Sequence, residues 1–253
     1  MIKLFRNIRQ SLLAEGKTSK YLKYAIGEII LVVIGILIAL SINTWNENNN
    51  LSKKEVALLT DLKNDIEADM STLESQDSIF AKKEIDAALG LKLFYKAKTI
   101  EDIKAVSSLT AGLWNELFIN KNTYNEMINS GSMYTMKSKE LQKKINKYYN
   151  LVEAHVEYIR SVNDEQSALW TLEPSMYPAK FLLSQLENPR MDIKQIDTTW
   201  INNPKSATYL AFDNYLNSNQ EVNNVYRRKV FKRILTAAYS LFMDIEKELE
   251  SRK

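Results

Sequence analysis

The chain has 253 residues, of which 26% are charged and 45% hydrophobic, a balance that excludes bulk disorder and allows a sizeable core. Cysteine is absent and His155 is the single histidine, which removes disulfides, thiol catalysis, iron–sulfur chemistry and multi-histidine zinc centres. The net charge of +3 sits in the first fifty residues, where six cations face three carboxylates; beyond them 28 basic and 28 acidic side chains cancel, so the charge does not point to a nucleic-acid-binding body and no nucleic-acid partner is expected.

Residues 1–23 form a basic tail. Ile2, Phe5, Ile8, Leu12 and Leu13 recur at helical spacing with Lys3, Arg6 and Arg9 between them. The pattern fits a short amphipathic helix on the inner leaflet and equally an ordinary solvated tail. Gly16 is a candidate C-cap and Ser19 a candidate cap for the next helix.

Tyr24 to Ile42 reads YAIGEIILVVIGILIALSI, with Glu28 and Ser41 the only strongly polar side chains. Extended to Trp45, residues 24–45 have the length and the flanking aromatics of a transmembrane helix. Six cations precede the segment, whereas only Lys53 and Lys54 are basic in the twenty residues after Ile42. This asymmetry puts the N-terminus in the cytoplasm and residues 46–253 outside, in a bacterial inner membrane. The long tail, the long apolar run and Glu28 within it favour an uncleaved anchor over a signal peptide.

The stretch from Met1 to Glu47, with IRQ in its tail, YAIGEI and VVIGILIAL in its span and WNE at its exit, resembles a large uncharacterised family of single-pass membrane proteins in Bacteroidota. Asn122 to Asn150, with NTYNEMINSGS and the YY pair, is similar to a later segment of that family. The resemblance implies no activity.

From Leu51 onwards the pattern is helical. Leu59, Leu62, Ile66, Met70, Leu73 and Phe80 make a first stripe, and Leu141, Ile145, Tyr148, Val152, Val156, Ile159, Val162 and Leu169 a second. The third runs through Val222, Tyr226, Val230, Ile234, Ala238, Leu241, Ile245 and Leu249. A shorter helix is predicted over Leu113 to Ile128, with Ser130-Gly131-Ser132 as the clearest turn. Asn48-Asn49-Asn50 is the weak point of a helix continuing from the span. Leu172 to Lys205 holds all 4 prolines and reads as irregular structure with short helices, a cap over one bundle end. The fold class is therefore all-α: one N-terminal transmembrane helix followed by an antiparallel helical-bundle extracytoplasmic domain.

Two groups of residues are candidate sites. In the span, Gly27, Gly35 and Ala39 share a face on which another helix can approach closely, and Glu28 lies beside it. Glu28 has three readings: a carboxylate snorkelling toward Lys20 or Lys23, a helix–helix contact, or a proton carrier. The second group is a candidate binding hairpin of Asn122, Thr123, Tyr124, Ser130, Gly131, Tyr148 and Tyr149, whose tyrosines read equally as core with wet hydroxyl tips. His155 is expected to be an ordinary interfacial histidine, and Arg227-Arg228-Lys229 with Lys232-Arg233 a solvated helix face.

No nucleophile elbow, glycine-rich nucleotide loop or EF-hand loop occurs in the sequence. The expected function is non-enzymatic, without cofactor or metal: a scaffold or accessory subunit of a cell-envelope complex. Its expected partners are the lipid bilayer and a membrane protein, or a second copy, met through the span. The alternative is a ligand-sensing helical bundle that signals through the span.

Overall fold

The computed structural model describes residues 18–110, 116–190 and 192–252. The amphipathic tail proposed for residues 2–13, with Gly16, lies outside them. The molecule is 86% helical, with no strand among the described residues. It divides into two compact units, Met1–Ala57 and Leu58–Lys253.

The first long helix, α1, is Thr18–Phe94, 77 residues. It runs through Asn48-Asn49-Asn50, where the sequence suggested a break. Three asparagines together cost no more than about 2 kcal/mol of propensity, and helix propagates cooperatively from the strong formers on either side. In the first unit, Ala25 opens a stretch long and apolar enough to cross a membrane, none of it buried.

The second unit contains two apolar clusters. All six residues of the first predicted stripe, from Leu59 to Phe80, are buried in the first cluster. They meet Leu141, Ile145, Tyr148, Tyr149, Val152 and Ile159 of α5 (Lys139–Thr171), and Tyr226, Val230, Ile234, Ala238, Leu241 and Ile245 of the C-terminal limb. Between α1 and α5 lie α2 (Ile100–Thr110), α3 (Asn122–Asn129) and the single turn α4 (Ser132–Thr135). The helix predicted from Leu113 begins only at Asn122; residues 116–121 are not helical.

The second cluster gathers Phe94, Ile103, Val106, Leu182, Trp200 and Phe212. It is built from the end of α1, α2, the proline-rich stretch and α7 (Ala207–Val225). That stretch carries 3₁₀ turns at Pro174–Met176, Ile193–Gln195 and Thr199–Asn202 around one α-helix, α6 (Tyr177–Glu187). Pro174 and Pro178 stand in first turns, where a missing N–H costs nothing.

A π-helical turn, Tyr226–Phe231, joins α7 to α8 (Lys232–Glu250). A π turn brings residues i and i+5 to one side. Tyr226 and Phe231 accordingly both meet the Phe80 ring edge-on, at 5.3 and 5.5 Å. The turn marks the handover of this limb from the second cluster to the first.

Contacts between the limbs fix their directions. Lys63 of α1 bonds Glu246 while Phe80 meets Phe231, so α8 runs antiparallel to α1. Lys144 of α5 bonds Asp244 while Asn163 accepts from Tyr226, so α8 is antiparallel to α5 as well. The long limbs α1 and α5 therefore run parallel to each other and antiparallel to α8, with the descending limb between α1 and α5 broken into short pieces.

Candidate functional site

Of the predicted hairpin group, Asn122, Thr123, Tyr124, Tyr148 and Tyr149 gather around the entry to α3, whereas Ser130 and Gly131 make the turn after α3 and bond only locally. The gathered residues are held by two carboxylates of α1 that the motif reading did not single out. Asp65 and Asp69 stand one turn apart on α1 and act as acceptors for the segment entering α3. The Asp69 carboxylate accepts from the backbone N–H of Asn120 at 2.9 Å. The Asp65 carboxylate accepts from the Asn120 side-chain amide at 2.7 Å and from the Thr123 N–H at 3.2 Å. The Asn120 side-chain oxygen in turn accepts from the Asn122 N–H at 3.0 Å. This clamp starts α3 late, because Asn120 is committed to α1 and to its own backbone. The steps from Leu62 through Ile66 and Asp69 to Leu73 follow helical spacing, so a carboxylate on the stripe's own face was the available signal.

Above the clamp the tyrosines pack on one another. Tyr124 stacks on Tyr149 with centroids 4.0 Å apart, and Tyr148 meets Tyr149 edge-on at 5.0 Å. Tyr124 donates to the Asn146 side chain at 3.1 Å, and Tyr149 donates to the Asn120 carbonyl at 3.4 Å. Thr123, Tyr148 and Tyr149 are buried, Tyr124 is half-buried, and Asn122 and Ser130 are exposed. Gly131 makes the turn with φ +73°, where a side chain would be strained, and the Ser130 and Ser132 hydroxyls bond across it at 2.8 Å.

Burial dominates the electrostatics here. Desolvation pushes the Asp69 carboxyl up to about 6, opposed by the Asn120 N–H and reinforced by the Asp65 charge. Burial raises the Tyr148 phenol far above its ordinary value, with the Asp69 charge adding to it, and raises Tyr149 likewise. One Asp69 carboxylate oxygen and the Tyr148 hydroxyl are buried without a hydrogen-bond partner among the described residues. The arrangement fastens a backbone segment. Among the described residues no three His, Cys, Asp or Glu side chains are placed to hold a metal.

The three small residues of the span group present an open surface within their unit. Gly27, Gly35 and Ala39 are exposed and Glu28 is half-buried. A Cβ added at Gly27 or Gly35 would meet nothing within 4 Å. His155 lies beside the second stripe and its Nδ1 donates to the Leu151 carbonyl at 2.8 Å, an ordinary helical contact.

The basic run divides. Arg227 turns inward to Asp77 at 3.1 Å and Glu84 at 2.6 Å. Arg228, which also reaches Glu84 at 3.8 Å, lines with Lys232, Arg233, Lys144 and Lys147 an open cleft of about 880 Å³ between α5 and α8. Spacing alone cannot pair Lys144 with Arg233, because more than eighty residues and a chain reversal separate them.

Among the described residues, fold and geometry define a helical protein with one helix long and apolar enough to cross a membrane and a body in which buried Asp69 and half-buried Asp65 secure its own chain. The chain belongs to the Family of unknown function (DUF6090), whose model matches residues 28–170. The matched residues include the apolar span from Glu28 onwards, Asp65, Asp69 and the hairpin; the α7–α8 limb that closes the first core lies beyond them. No curated protein and no solved structure matches the chain.

Proposed function

We propose that the protein is a single-pass inner-membrane protein that works by binding, as a scaffold or accessory subunit of a cell-envelope complex, and not by catalysis. In this reading residues 1–23 are cytoplasmic, 24–45 span the membrane and 46–253 are periplasmic, as the excess of cations before the span favours. The observation that carries the reading is the surface of the span. Every large apolar side chain from Ile29 to Ile42 is between 47% and 63% exposed. A continuous apolar surface of that length needs lipid or another apolar helix to cover it. The body adds support, since the carboxylates of Asp65 and Asp69 are spent on holding its own backbone.

The test is the size of the assembly after mild-detergent extraction of the full chain. The expected result is a species larger than the 29.3-kDa monomer, lost on Gly35→Ile, which blocks close approach of a second helix. Glu28→Gln should weaken the assembly several-fold at most, because intramembrane hydrogen bonds average about 0.6 kcal/mol. A monomer from the unsubstituted chain would contradict association through the span.

A further inference from the structure

The cleft between α5 and α8 has a chemistry that the body does not use internally. Its floor is apolar, made by Tyr148 and Leu151 of α5 with Ala237 and Leu241 of α8. Cations stand at both ends of that floor. Arg228, Lys232 and Arg233 are at one end, and Lys144 and Lys147 are at the other. Among the described residues Asp244 is the only carboxylate lining the cleft, and it is already bonded to Lys144 at 2.9 Å. Lys147, Lys232 and Arg233 make no ion pair among the described residues, and all three are exposed.

Along the π turn and α8 the lining follows a ladder of residues four apart: Arg228 in the turn, then Lys232, Thr236, Ser240 and Asp244. Sixteen residues of helix cover about 24 Å. We infer that this cleft is a docking groove for an amphipathic helix of a partner protein, one that lays an apolar stripe on the floor and carries carboxylates on the edges that meet the two cationic ends. Charge complementarity selects an acidic occupant. The length of the groove, open along its side and wetted by Thr236 and Ser240, selects a helix of four to five turns over a lipid. A lipid would place a single anionic head at one end and need an enclosed channel for its chains. The groove would hold the partner by burying its apolar stripe, and the two cationic ends would set its register and direction.

This inference rests on the reading of the protein as a binding module, but uses a surface separate from the span. The full chain is expressed in its own membrane with a photo-crosslinking amino acid in place of Ser240, and cross-linked peptides are sequenced by mass spectrometry. The expected product is one partner segment of helical apolar spacing with several Asp or Glu residues. Lys147→Glu, Lys232→Glu and Arg233→Glu together should cut its yield at least tenfold, and exchanging the partner's acidic residues for lysine should restore it. All three side chains are exposed and make no ion pair among the described residues, and unchanged circular dichroism of the triple variant confirms that folding is intact. No cross-link, a cross-link to lipid or to a second copy, or a yield indifferent to the charge reversal would overturn the groove. The span reading would survive any of these, since it is tested by assembly size and Gly35→Ile.

Discussion

Asp69 is 5% exposed and keeps one carboxylate oxygen without a partner among the described residues, so its charge is a cost that the clamp repays only in part. Its folded pKa, about 6, stands above the ordinary 3.8. A carboxyl raised in this direction leaves stability intact below pH ~4 and subtracts from it as pH rises through 6. The expected cost at pH 7.5 is about 2 kcal/mol, allowing for solvent screening. Thermal unfolding of the full chain in detergent should therefore give a higher Tm at pH 5 than at pH 7.5. Asp69→Asn, which keeps an acceptor for the Asn120 N–H, should flatten that difference; an unaltered pH dependence would place the titrating group elsewhere. Asp65→Ala removes two hydrogen bonds to a carboxylate and should cost about 2–3 kcal/mol at either pH.

Close approach of helices is set at single positions. Gly90 lies inside α1, and a Cβ there would fall 2.3 Å from Thr110 Cγ2 on α2. Ala is the better helix former by about 1 kcal/mol, whereas overpacking costs about 1–3 kcal/mol. Gly90→Ala alone should lower the Tm. In a Thr110→Ser background, which removes the clashing methyl and keeps a hydroxyl for the Val106 carbonyl, the same change should raise it. Equal effects in both backgrounds would show that the helices part at no cost.

This element scale is also where the sequence stops being legible. The three stripes and the Gly131 turn were readable because burial imposes a helical period and positive φ demands glycine. The start of α3 was not, because Leu113 to Ile128 looks helical until Asp65 and Asp69 claim Asn120 from more than fifty residues away. Nor was the π turn, since its extra residue is fixed by Phe80 on another helix. In the hairpin group the tyrosines were visible and the carboxylates that position them were not. The cationic cleft was half visible, as the Arg228 to Arg233 run without its α5 partners.

At the scale of the whole molecule, both cores lie within residues 58–253. That segment expressed alone should be soluble and give a helical circular dichroism spectrum, and dominant β-structure would contradict the bundle. The span surface and the basic tail make the membrane reading the central one. Because the chain has no cysteine, Ser251→Cys, exposed after α8, gives a unique thiol. Labelling of that thiol in intact spheroplasts by a membrane-impermeant maleimide is the expected result, with the chain in the membrane fraction. Labelling only after lysis, or a chain released with the soluble proteins, would contradict the account.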